Sequence, residues 1–132
     1  MTARQRFELG QDHIATFKSI FQDRFVTTES VLDEHGRDES AFPPVMPSAV
    51  IYAKSTDEVS QVMKICSEQN IPVVPFGAGT SLEGHVLPIF GGISLDVSLM
   101  NKIVPNYFIL YRPRDIVSGD FYFVRKVKNK TI

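Results

Sequence analysis

The sequence predicts an α+β chain: N-terminal helices, then a βαβ unit, then a short β-rich tail. Three observations carry this. Ile14, Phe17, Ile20 and Phe21 form one apolar stripe at helical spacing near the start. Two compact apolar runs, residues 49–53 and 71–74, flank a stretch with helical periodicity. A glycine-rich segment, Pro75-Phe76-Gly77-Ala78-Gly79-Thr80-Ser81-Leu82-Glu83-Gly84, then follows the second run without a break.

The stripe places a helix over residues 11–25, with polar residues opposite and the apolar side packed on the domain. Thr27, Thr28, Glu29 and Ser30 offer N-cap groups for a short second helix through Val31 and Leu32, which Gly36 would stop. Residues 34–40, Glu-His-Gly-Arg-Asp-Glu-Ser, are dense in charge. His35, Asp38 and Glu39 lack the frame of a zinc or hard-cation site, so a solvated loop with local ion pairs is expected. Pro43, Pro44 and Pro47 then carry the chain in extended form to the next element.

Residues 49–53 read as a strand. Ser55 and Glu58 fit a capping box for the next helix, with Ser55 at the N-cap and Glu58 three positions on. Val59, Val62, Met63 and Cys66 give that helix one buried face as far as about Gln69, and Cys66 on that face reads as a small apolar residue. Asn70 ends the helix and Pro72 opens a strand expected to be buried and parallel to the first. A strand–helix–strand unit implies a right-handed parallel crossover, which brings the glycine segment to a carboxyl edge of the sheet, where open α/β sheets bind ligands. Residues 93–97 form a third strand after Pro88 and Gly91-Gly92, and residues 99–104 a short turn or helix.

Glycines allow a close backbone approach, so successive N–H groups of residues 77–81 can converge on an anion such as phosphate or pyrophosphate, with Thr80 and Ser81 adding hydroxyls. Two well-known phosphate loops do not match. Gly77 and Gly79 are followed by four residues before Gly84, unlike G-x-G-x-x-G, and His85 and Val86 stand where a mononucleotide loop needs lysine and a hydroxyl. Spacing alone therefore leaves both an anion site and a plain glycine-rich turn open. His85 has two readings, a cofactor contact and an ordinary packed side chain, and His13 receives no role.

With 132 residues and 43% hydrophobic content the chain suits one modest domain. Its single cysteine excludes an internal disulfide and fits a reducing compartment, so a cytoplasmic location is expected. No apolar run approaches the ~20 residues of a membrane helix, and residues 1–25 lack the apolar centre of a signal peptide. The net charge of −1 points away from nucleic acid but conceals an asymmetry. Residues 1–101 hold 7 Lys/Arg and 13 Asp/Glu, whereas residues 102–132 hold 7 and 2. A sign change of this kind marks a change of module.

Four motifs, residues 34–40, residues 75–85, Gly91-Gly92-Ile93-Ser94-Leu95-Asp96 and Met100-Asn101-Lys102-Ile103, agree in order and spacing with one family. Over residues 20–104 the sequence resembles the D-lactate dehydrogenase and glycolate oxidase group of flavoproteins, whose FAD-binding domain is of the p-cresol methylhydroxylase (PCMH) type. The resemblance implies a βαβ-type α+β subdomain whose glycine loop holds the FAD pyrophosphate. Mapped here, Gly77, Ala78, Gly79, Thr80 and Ser81 would make the contacts, and Pro75, Leu82, Gly84 and His85 would complete the loop. The family oxidises 2-hydroxy acids by hydride loss to the flavin. Its members continue into a second half of the flavin domain and a substrate domain, and the segment after Ile103 does not follow them.

Residues 106–132, with Ser118-Gly119-Asp120-Phe121-Tyr122 at their centre, resemble instead the opening of a stage II sporulation E-type serine phosphatase domain. There Asp120 would match a metal ligand, but one carboxylate cannot build a two-metal centre. The expected organisation is an N-terminal helical extension and loop over 1–47, a partial PCMH-type FAD-binding domain over 48–104, and a phosphatase-like β-rich tail over 105–132. One integrated domain whose tail completes the sheet stays open beside this. The function expected is FAD binding by a truncated flavin-dependent hydroxy-acid dehydrogenase or oxidase, inactive alone. Alternatives are a metal-dependent phosphatase or signalling fragment, or a non-catalytic interaction module. FAD is the expected partner, a 2-hydroxy acid only in the full-length family, and the aromatic tail could promote self-association.

Overall fold

Helix α1, Gln11–Phe21, buries Phe17 and Phe21 on the stripe read from the sequence. It ends four residues earlier than the periodicity suggests. Gln22 takes a left-handed φ of 53°, which breaks the helix, and a 3-10 turn at Gln22–Arg24 redirects the chain. Phe25 is thereby released into strand β1, Phe25–Val26, and its ring stacks on Phe17 at 5.9 Å. The computed structural model describes residues 5–101, together with the backbone of two short strands farther on.

The following elements are α2 (Glu29–Glu34), β2 (Ala49–Tyr52), α3 (Thr56–Glu68), β3 (Val73–Phe76) and β4 (Ile93–Asp96). They form a mixed sheet in the order β1-β2-β4-β3, with β1 antiparallel to β2 and the other pairs parallel. β4 inserts between the two strands of the βαβ unit, and all four of its residues are buried. β3 is consequently an edge strand, not the fully buried one expected. It begins at Val73, and only Phe76 of its four residues is buried. Pro75, which lacks an N–H, suits that edge position.

Strand alternation sorts the two faces. Ala49 and Ile51 pair in register with Ile93 and Leu95, and these four join Phe17, Phe21, Val62, Cys66 and Ile71 in one core cluster. Met63, expected on the buried face of α3, is 46% exposed; Ile65 packs against the core instead. The Ser55 hydroxyl accepts the Glu58 N–H at 3.2 Å, as a capping box requires. The Glu58 carboxylate does not return to Ser55. It accepts the Lys54 N–H and a two-pronged ion pair from Arg24, at 2.6 and 2.8 Å, while Arg24 also donates to the Tyr52 carbonyl. Arg24 thus ties the turn after α1 to the start of α3.

The chain divides into two units, Met1–Lys102 and Ile103–Ile132. In the second, β5 (Lys126–Val127) pairs antiparallel with β6 (Lys130–Thr131). The expected join at Val104-Pro105 and the metal-ligand match at Asp120 lie outside the described residues. No described helix is long and apolar enough to cross a membrane.

Candidate functional site

Three strands end side by side. Tyr52 of β2 and Phe76 of β3 each stand in register with Asp96 of β4. Alternation turns this row away from the helical core, toward the face that α2 approaches. His35, at the end of α2, caps the row. It is 2% exposed, meets Asp96 Oδ2 through Nε2 at 2.8 Å, and holds the Val31 carbonyl through Nδ1 at 2.9 Å. Its ring lies 4.3 Å from the Phe76 ring and meets Tyr52 edge-on at 5.7 Å. The segment at 34–40 exposes Glu34, Arg37 and Glu39 and forms a local Arg37–Asp33 ion pair, as expected, but it is not solvated throughout, because His35 and Gly36 are buried. Gly36 has no room for a side chain: a Cβ there would stand 2.6 Å from the Val45 carbonyl oxygen.

The glycine loop leaves β3 just beyond this row, at the carboxyl edge. The amides of residues 77–80 donate to no acceptor among the described residues. Gly77 faces open space, with nothing within 4 Å of where a Cβ would sit, and Gly79 has a φ of 68°. The far end of the loop is latched to residues 38–40. The Glu39 N–H donates to the Ser81 carbonyl at 3.0 Å, and the Ser81 hydroxyl accepts the Glu83 and His85 amides. Asp38 is held below the ordinary carboxylate range chiefly by the Ser40 hydroxyl, with lesser support from the Ser40 and Gly84 amides and the Ser81 hydroxyl. Its Oδ2, though buried, has no hydrogen-bond partner among the described residues.

A cavity of about 530 Å³ opens between the loop and the 34–39 segment. Gly77, Ala78 and Gly79 form one wall, Tyr52, Phe76, His35 and Asp96 the floor, and Glu34, Arg37, Asp38 and Glu39 the opposite side. The other expected site residues lie outside its lining. Pro75 is exposed on the edge strand, Thr80 is exposed, Ser81 is engaged in its turn, and Leu82 is 71% exposed. Gly84 borders a separate apolar cleft of about 380 Å³ with Phe42 and Leu87. The exposed His85 donates its amide to Ser81. His35, Tyr52, Phe76 and Asp96 were missed from the sequence. One signal was available: Asp96 ends a strand with no other charged residue, whose Ile93 and Leu95 mark it as buried, where a carboxylate needs a partner. Among the described residues no group of His, Cys, Asp or Glu could hold a metal.

Residues 47–106 match the FAD binding domain family. This segment is an FAD binding domain. Its relatives include the mitochondrial D-lactate dehydrogenase [cytochrome] of Arabidopsis thaliana, 34% identical over 98 residues, covering 73% of this chain and 17% of that protein. The glycolate oxidase subunit GlcD of Bacillus subtilis is 48% identical over 59 residues, or 45% of this chain and 13% of that protein. The fold of the FAD binding domain is shared with p-cresol methylhydroxylase (TM-score 0.62, 24% identity, 77% of this chain and 22% of that one). It is shared also with alkyldihydroxyacetonephosphate synthase (TM-score 0.66, 16% identity, 79% and 21%). The chain spans about a fifth of the length of the curated relatives it matches.

The loop of the FAD binding domain fits a dinucleotide. Four amides without an acceptor among the described residues, and an unobstructed Gly77, would offer a pyrophosphate donors and room. The carboxylates of Glu34 and Glu39 on the opposite wall suit hydroxyl or N–H donors rather than a second anion.

Proposed function

We propose that this chain is the FAD-holding portion of a flavin-dependent 2-hydroxy-acid dehydrogenase or oxidase acting on D-lactate or glycolate. The observation that carries the site is the run of amides at residues 77–80 that meet no acceptor among the described residues, three of them, at 77–79, on the wall of the cavity. Gly77, Ala78, Gly79, Thr80 and Ser81 hold the pyrophosphate through backbone N–H groups. Ser81 acts through its own turn, and Pro75, Leu82, Gly84 and His85 shape the loop around that contact. When bound, FAD supplies a two-electron acceptor for the hydroxy acid. The chain's own residues bind and orient it.

Residues 105–132 are read as a separate piece, and the 2-hydroxy acid as a partner of the longer relatives. The same proposal places the chain in the cytoplasm, a reducing compartment that its single cysteine fits, while several relatives carry mitochondrial names. Self-association through the aromatic segment from Tyr107 to Phe123 is part of the same proposal.

Titration of the purified chain with FAD, followed by quenching of flavin fluorescence, tests the reading. Saturable binding with no turnover of D-lactate or glycolate is expected. A chain that leaves the fluorescence unchanged sinks the site, and a substrate-dependent rate above that of free flavin sinks the claim that this portion only binds.

A further inference from the structure

We propose that His35, as an imidazolium paired with Asp96, is the positioning residue of the glycine loop and acts on it through Phe76. The inference rests on that loop being the dinucleotide site. It concerns residues for which the pyrophosphate contact alone supplies no role.

The hydrogen bonds restrict where the protons can sit. A carbonyl oxygen only accepts, so the 2.9 Å contact with Val31 places a hydrogen on Nδ1. Nε2 faces Asp96 Oδ2 at 2.8 Å with both side chains buried, and this contact closes only with a proton between them. Asp96 Oδ1 meanwhile accepts the Ser98 N–H at 2.7 Å. Imidazole is a stronger base than a carboxylate, so the shared proton is assigned to the ring, which then carries two hydrogens while Asp96 accepts on both oxygens.

The ring's influence reaches the loop by direct packing. His35 lies 4.3 Å from Phe76, and the tip of the Phe76 ring lies beneath Gly79. The Phe76 carbonyl accepts the Val97 N–H at 3.0 Å, so the ends of β3 and β4 are joined at the level of His35. Removal of the shared proton sets a ring lone pair against the carboxylate. His35 then loses its hold, and the floor beneath residues 77–79 loosens.

The other charged groups around the pair come from each neighbouring element: Glu34 from α2, Arg37, Asp38 and Glu39 from the following loop, and Tyr52 from β2. β3 brings no titratable side chain. Arg37 is bonded to Asp33, Asp38 to Ser40, and Glu34 and Glu39 are exposed. The Tyr52 hydroxyl is pushed up by burial and then by the Asp96 and Glu34 charges. His35 is the group whose ring meets Phe76, at 4.3 Å.

Asp96→Asn separates charge from shape. Its amide donates to Nε2 of a neutral ring while its oxygen still accepts from Ser98, so every contact survives. Nitrogen-15 spectra of the imidazole, with the amide shifts of residues 77–79, are followed in the full chain from about pH 6 to about pH 9. Wild type should show an imidazolium whose loss of a proton moves the loop amides. Asp96→Asn should show a neutral ring protonated at Nδ1, with no such movement over that range. Phe76→Leu should keep the imidazolium but uncouple the loop from it, and FAD affinity should fall about tenfold. If Asp96→Asn does not fold, wild type and Phe76→Leu carry the test. A neutral His35 in wild type at about pH 6, or loop amides indifferent to its titration, overturns the proposal. Wild type without FAD affinity overturns the assignment of the site instead, while the ring and amide signals still decide the role of His35.

Discussion

The ring of Phe76 lies under Gly79: a Cβ at position 79 would stand 2.9 Å from its Cζ. Gly77, two residues away, has nothing within 4 Å in the same direction. The two glycines of one loop are therefore required for different reasons. One is constrained by the protein, the other leaves space for what binds.

This contrast yields the first prediction. Gly79→Ala combines a left-handed φ of 68° with the Phe76 contact and should destabilise the fold by about 1–2 kcal/mol. Gly77→Ala should leave thermal stability within about 0.5 kcal/mol of wild type, yet weaken FAD binding at least about tenfold by standing in the ligand's approach. Thermal melts and flavin fluorescence titrations check both. Undiminished FAD binding by Gly77→Ala would place the pyrophosphate elsewhere.

Glu58 links stability to acid. The hydrogen bond from Arg24 leads in pulling its carboxyl from 4.5 down to about 2, with the Lys54 amide helping. A depressed folded value means the contribution is complete above about pH 4.5 and is lost as the pH falls toward 2. Glu58→Gln should cost about 1–2 kcal/mol at neutral pH, a figure reduced for the partial exposure of the pair. Denaturant melts of the two proteins should converge on acidification, and a gap undiminished at about pH 2.5 would exclude the ion pair as its source.

Cys66 should be chemically silent. Burial beneath α3 pushes its thiol up to about 11, so little thiolate exists at neutral pH and access is blocked as well. Alkylation by iodoacetamide at about pH 8 should be at least about 100-fold slower in the native protein than in denaturant. Equal rates would mean that the α3 face opens readily.

The tail can be tested by proteolysis. The proposal that residues 105–132 are a separate piece, drawn from the charge reversal after residue 101 and from a length too short for its own core, predicts early cleavage there. Limited trypsin digestion should cut Arg125, Lys126 and Lys128 before Lys54 or Lys64. The reverse order would make the tail an integral part of the domain.

Much of the fold was legible in the sequence because it depends on local patterns. The Ile14–Phe21 stripe, the Ser55 cap and the apolar runs around α3 each follow from side-chain periodicity or from one side chain meeting a nearby amide. The loop was legible for the same reason, since glycine spacing constrains the local backbone. Met63 was misplaced because helical periodicity fixes a stripe's direction but not its width; that width depends on what packs against α3. Helix α1 was extended too far because the chain's turn at Gln22 serves the pairing of Phe25 with Ile51, a contact 26 positions distant.

The sequence by itself determined α2, α3 and the strands around them, the position of the glycine loop and its kinship with FAD binding domains. Tertiary structure alone decided what lies beneath that loop. His35 and Asp96 are 61 residues apart, and neither position announces the other. They meet because β4 inserts between β2 and β3, which sets Asp96 between Tyr52 and Phe76 and leaves one buried carboxylate facing the end of α2. A buried charge must find its partner in space, and strand order, which local sequence does not encode, selects that partner.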